Sequence, residues 1–197
     1  METIETKTIG KYEIEIIPDE SPESPREWDN LGTMVCFHNR YNLGDEHDYR
    51  HQDYTGWEDM KKAIIKNEDV GVILPLYLYD HSGITMNTTG FHCPWDSGQV
   101  GFVFISKEKM REEYSYKRVS QKLIKRVTEY LVNEIATYDQ YLTGDVYGFR
   151  ITDTETEEEV DSCWGFYGDN YCMEEAEGIV NHMIGADKHG QLELDLN

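Results

Sequence analysis

Positive charge is scarce in this sequence. Its 197 residues carry 18 Lys and Arg against 39 Asp and Glu, a formal net charge of −21. A chain this acidic repels phosphate backbones and anionic membranes, so direct binding to nucleic acid would need a local basic patch to overcome the overall field. Paired cysteines are lacking as well. Cys36, Cys93, Cys163 and Cys172 form no CxxC motif, which points to reduced thiols rather than a disulfide scaffold. No apolar run approaches the roughly 18 residues of a membrane span, and the opening METIETKTIGKYEIE has no apolar core of a signal peptide. A cytoplasmic chain with no membrane association is therefore expected. Neither the GxGxxG fingerprint nor a P-loop motif occurs, so no nucleotide fold is indicated, and no internal repeat is visible. Apolar residues make up only 39%, but 14 Tyr, 6 Phe and 4 Trp supply large buried area per residue, enough for one domain of this length to hold a core without staples.

The hydrophobic pattern predicts a mixture of strands and helices. Alternation over residues 11–17, KYEIEII, sets Tyr12, Ile14 and Ile16 on one face and Glu13 and Glu15 on the other. Pro18 to Pro25 reads as an extended loop, residues 33–37 as a short buried strand, and His38 to Tyr54 as an ordered polar loop. Thr55-Gly-Trp-Glu58 has the form of a capping box opening a helix with Trp57, Met60, Ala63 and Ile64 inward. VGVILPLYLY, Val70 to Tyr79, reads as a central strand with Pro75 implying a bulge. It is returned by a hairpin over Asp80 to Gly83 to Ile84–Asn87. Residues 99–105 form another strand, with Ser106 as N-cap of a short helix. Residues 117–139 form the most regular helix. Residues 146–152 and 160–166 pair across the acidic turn Asp153 to Glu159, and a last amphipathic helix ends at Gly185. The expectation is one α+β domain over residues 1–185, a mainly antiparallel sheet with helices packed on one face, and a polar tail over 186–197.

Three constellations bear on chemistry. Cys36, His38, His47, His51, His81, His92 and Cys93 are potential metal ligands, but no pair has a diagnostic zinc spacing; the alternative is a buried Cys36 packed as a small hydrophobe and histidines bonded to loop carbonyls. Cys93 could be a nucleophile with His81 or His92 as base and Asp80 or Asp96 as orienter, provided that the imidazole touches the sulfur. Asp45, Glu46, Asp48 and Asp53, with His47 and His51, could hold a divalent cation for phosphoester chemistry, although only Arg40 and Arg50 lie nearby to meet a phosphate. None of these is a complete catalytic signature. No catalytic residue, metal or cofactor is assigned, and a binding protein is favoured over an enzyme.

The charge itself is the remaining clue, and it is polarised. Residues 151–197 carry thirteen acidic groups and one Lys, a net of −12, whereas residues 107–130 carry eight Lys/Arg and four Glu, a net of +4. Asp153, Glu155, Glu157, Glu158, Glu159 and Asp161 are dense enough to imitate a row of phosphates and to engage a basic partner; the alternative is a solvated turn. The basic stretch is the place where direct nucleic-acid binding would have to occur.

The strings SPREWDNLGTMVCFHNRYNLGD (Ser24 to Asp45), LPLYLYDHSG (Leu74 to Gly83), CPWDSGQVGF (Cys93 to Phe102), YDQYLTGDVYGF (Tyr138 to Phe149) and DSCWGFYGD (Asp161 to Asp169) resemble a family of small accessory proteins carried by phages and mobile elements of Firmicutes. Counter-defence proteins collect among such genes. The resemblance implies an inhibitor of host immunity, in its most specific form a Cas9-inhibiting (type II-A) anti-CRISPR protein. The partner would be a basic nucleic-acid-binding protein such as a CRISPR effector, met in the host cytoplasm through the carboxylates of Asp153 to Asp161. The alternative is a metal-dependent enzyme acting on nucleotides or nucleic acid through the His/Asp-rich loop.

Overall fold

The computed structural model describes the backbone of residues 2–194 and the side chains of residues 2–186. Its elements, in chain order, are β1 (Glu5–Ile9), β2 (Tyr12–Pro18), β3 (Thr33–Cys36), α1 (Trp57–Asn67), β4 (Val70–Asp80), β5 (Ile84–Asn87), β6 (Ser97–Ser106), α2 (Lys107–Glu113), α3 (Gln121–Thr143), β7 (Val146–Asp153), β8 (Glu158–Tyr167) and α4 (Asp169–Leu194). Every strand pairing is antiparallel, and the fold is α+β with two sheets, ordered β1-β2-β7-β8 and β3-β6-β4-β5. The chain divides into two compact units: Met1–Glu23 with Gly144–Asn197, and Ser24–Thr143. Each unit contains one of the sheets.

In the first unit the alternation of β2 works as expected. Ile14 and Ile16 are fully buried and lie opposite Ile151 and Phe149 of β7. Cys172, Met173, Ala176 and Val180 of α4 close over them. β1 was not expected. Its sequence, ETKTI, has almost no apolar signal, and its residues are largely exposed. A tight reversal at Gly10, in the left-handed region at φ 63, places it against β2. The final helix does not stop at Gly185 but continues to Leu194. Gly185 has no positive φ, so it is an interior helical glycine, a cost of about 1 kcal/mol that a long helix tolerates. Residues 195–197 of the expected tail lie outside the described residues.

In the second unit the sheet is buried on both faces. Met34, Cys36, Val103 and Ile105 pack with Leu123, Val127, Leu131 and Ile135 of α3 and with Met110 of α2. Their neighbours Val35, Phe102 and Phe104 point the other way and pack with Met60 and Ile64 of α1. Helices on one face only were expected; here they cover both. The reason is visible in β4 and β6, whose unbroken apolar runs are the pattern of strands without a solvent face. Register shifts in the β4–β6 pair fall between Val70 and Val72 and between Leu76 and Tyr77, the second beside Pro75.

Two helix starts also differ from expectation. The N-cap of α1 is Gly56, and Thr55 donates from both its amide and its hydroxyl to Asp59 Oδ2, at 3.1 and 3.3 Å, instead of forming a box with Glu58. The helix expected from residue 117 begins at Gln121, where Ser120 Oγ accepts from the Leu123 amide.

Candidate functional site

The polar loop between β3 and α1 is held by one ion pair. The Arg26 side chain, only 6% exposed, donates Nε and Nη2 to the two oxygens of Asp45 at 2.8 and 2.6 Å, and Nη2 also reaches the Gly32 carbonyl. Asp45 Oδ2 takes the Met34 amide as well, at 2.7 Å. Its carboxylate is thereby occupied in fastening the loop to β3. His47 donates Nε2–H to the Cys36 carbonyl at 3.0 Å, and its buried Nδ1 has no hydrogen-bond partner among the described residues. His51 packs its ring on Phe37 and Trp57. Burial pushes the Cys36 thiol up to about 12, with the Asp45 charge adding to the effect, so the sulfur stays a protonated hydrophobe. Among the described residues no three His, Cys, Asp or Glu side chains converge as ligands would.

The residues proposed for nucleophilic chemistry meet at the turn ends of β4 and β6, but in an unproductive order. Cys93 Sγ donates to Asp96 Oδ2 at 3.6 Å, and His81 Nδ1 lies 3.5 Å from the same oxygen. A thiolate nucleophile needs the imidazole between sulfur and carboxylate. Here the carboxylate sits between the other two. His38 has no free ring nitrogen to act as a base. Its Nδ1 accepts from the Arg40 and Tyr41 amides at 3.3 Å, and its Nε2 faces Asp80 at 3.5 Å, a carboxylate that Arg40 also pairs with.

The acidic residues gather on the hairpin of β7 and β8 in the first unit. β8 is an edge strand, paired only with β7, and most of its side chains are exposed. Asp153 is the exception among the carboxylates. It is 6% exposed, its Oδ2 pairs with Lys11 Nζ at 3.0 Å, and its Oδ1 takes the Glu155 amide at 2.9 Å. The Lys11 hydrogen bond, helped by that amide, holds its carboxyl below the usual carboxylate range. Asp153 therefore shapes the turn. Glu155, Glu157 and Glu158 are exposed at its crest, and Glu157 adopts φ 61. Glu159 shares Arg150 with Glu15, the Arg150–Glu159 distance being 3.2 Å. Asp161 accepts from the Ser162 amide at 2.8 Å.

The sequence leads us to expect exposed Tyr and Trp as anchors of this surface but assigns no particular one. Trp164, 40% exposed, lies over Gly148 of β7, so closely that a Cβ there would come within 2.2 Å of the ring. Gly148 inside an otherwise apolar strand was the available signal, since an interior strand glycine marks a close approach. The basic stretch is partly committed: Lys109 Nζ donates to the Asn30 carbonyl at 2.7 Å, Lys107 pairs with Asp69, and Arg126 lies over the Tyr114 ring at 4.9 Å. No helix among the described residues is long and apolar enough to cross a membrane. Compared with protein-family models, curated proteins and solved structures, the chain matches none.

Proposed function

We propose that this chain is a binding protein, an acidic phage-encoded inhibitor that lays the β7–β8 hairpin against the basic nucleic-acid groove of a Cas9-like host defence nuclease and so blocks nucleic-acid binding or cleavage. The observation that carries the reading is the placement of Glu155, Glu157, Glu158 and Glu159 on an uncovered edge strand and its turn. Four carboxylates within five residues, two in the turn and two at the start of β8, concentrate negative charge at one end of the hairpin. Such a cluster steers encounter with a basic groove and raises the association rate at low salt. Val160 and Trp164, 41% and 40% exposed, supply apolar contact beside the charges.

The conformation of Glu157 supports the same reading. A non-glycine residue at φ 61 costs about 1–2 kcal/mol relative to a right-handed conformation. Glycine would adopt this conformation without that cost, so the turn carries a carboxylate at its crest at the expense of backbone strain. Replacing Glu157, Glu158 and Glu159 together by Lys tests the proposal. Inhibition of target DNA cleavage is expected to vanish while the protein stays folded and still unfolds cooperatively. Full inhibition by the folded triple variant would remove this hairpin from the interface.

A further inference from the structure

A cavity of about 260 Å³ opens in the second unit between residues 25–30 and the outer face of α3. Its rim is aromatic: Trp28 is 45% exposed and Tyr130 48% exposed. Two carboxylates, Asp29 and Glu134, line it together with the amide of Asn133. Glu134 is unusual for a helical carboxylate, since it lies three residues from Leu131 and beside the buried stripe of α3. It accepts the Leu31 and Gly32 amides at 2.6 and 3.0 Å. Burial raises its pKa even though these amides and the nearby Arg26 and Lys109 act in the opposite direction. Arg26 is shared with Asp45, and Lys109 also donates to the Asn30 carbonyl. Counting Asp45 with Asp29 and Glu134, three carboxylates stand against these two cations.

We infer that this cavity is a receptor for an arginine side chain of a partner protein, with Trp28 and Tyr130 as stacking surfaces and Asp29 and Glu134 as counter-charges. A cation is attracted to the faces of Trp and Tyr, and the acidic residues lining the same hollow add charge-assisted hydrogen bonds. Arginine fits better than lysine. Its guanidinium is flat and weakly hydrated and offers several donors in one plane, so it stacks and bonds at once, whereas an ammonium holds its water more strongly. The volume suits one side chain rather than a folded surface. All of the lining residues belong to the second unit, so the inference does not rest on the acidic hairpin of the first.

The test is a titration of the isotope-labelled protein with acetyl-Gly-Arg-Gly-amide, followed at the Trp28 indole N–H, which is assigned by its loss in Trp28→Phe. A saturable shift is expected. The lysine peptide should bind about threefold more weakly or worse, and the uncharged citrulline peptide should give no shift. Asp29→Asn, at an exposed position, should weaken arginine binding at least threefold with the remaining spectrum unchanged. Tyr130→Leu should do the same. The Lys-substituted hairpin at residues 157–159 should bind the peptide as the wild type does, so failure of the hairpin proposal and of this one are read separately. No shift with the arginine peptide, an equal shift with citrulline, or lysine binding as tight as arginine would overturn the assignment.

Discussion

Asp153 and Glu157 sit four residues apart in one turn and carry opposite burdens. Asp153 is spent on structure, its carboxylate held by Lys11 and the Glu155 amide. Its folded pKa is lowered, so it contributes stability above the unfolded carboxylate value of about 3.9, and that contribution disappears as pH falls through the lower folded value. Urea unfolding at pH 7 and pH 3 should therefore show a smaller acid-induced loss in Asp153→Asn than in the wild type. An equal loss would contradict the Lys11 pairing. Glu157 holds a left-handed conformation and has no such structural return. Glu157→Gly is expected to stabilise the protein by about 1 kcal/mol while weakening partner binding, a trade-off measured by denaturation and affinity on the same sample. The sequence presents these residues as equals in one acidic run. What separates them is Lys11, 142 positions away along the chain, which only the pairing of β2 with β7 brings to Asp153. The same holds for Asp45. As a string it looked like a cation ligand beside two histidines, but its oxygens belong to Arg26 and the Met34 amide.

Strands and helices with strong apolar patterns were legible. β2, β4, β6, the stripe of α3 and both long hairpins follow directly from alternation, turn residues and helical spacing. β1 was not, because an edge strand packed on one side needs little apolar content, and ETKTI shows none of the period that marks β2. The two-sided burial of β4 and β6 was present in the sequence as continuous hydrophobicity, but continuity says nothing about which helix covers which face. Glycines carried more information than their turn propensity suggests. Gly148 lacks a Cβ because the Trp164 ring occupies that space. Gly148→Ala should destabilise the protein by about 1–3 kcal/mol, the usual cost of overpacking, and should shift tryptophan emission as the Trp164 ring is displaced. Unfolding at an unchanged denaturant midpoint would show that the ring can move aside freely, and the aromatic part of the proposed surface would then be poorly ordered.

Across the whole molecule, the net charge of −21 was legible from composition, and so was its concentration after residue 150. Composition could not show that part of this charge is neutralised internally. Lys11 takes Asp153, and Arg150 is shared between Glu15 and Glu159. The exposed remainder on the hairpin is smaller but more sharply placed than the sequence total implies, and it carries the proposed function. The affinity of the protein for a Cas9-like nuclease, measured at 50 and 200 mM salt for the wild type and for the variant with Lys at residues 157, 158 and 159, tests this most directly. The account predicts wild-type binding that weakens steeply as salt screens the charges and a variant that does not bind at either concentration. Wild-type affinity that is indifferent to salt and undiminished in the variant would contradict it.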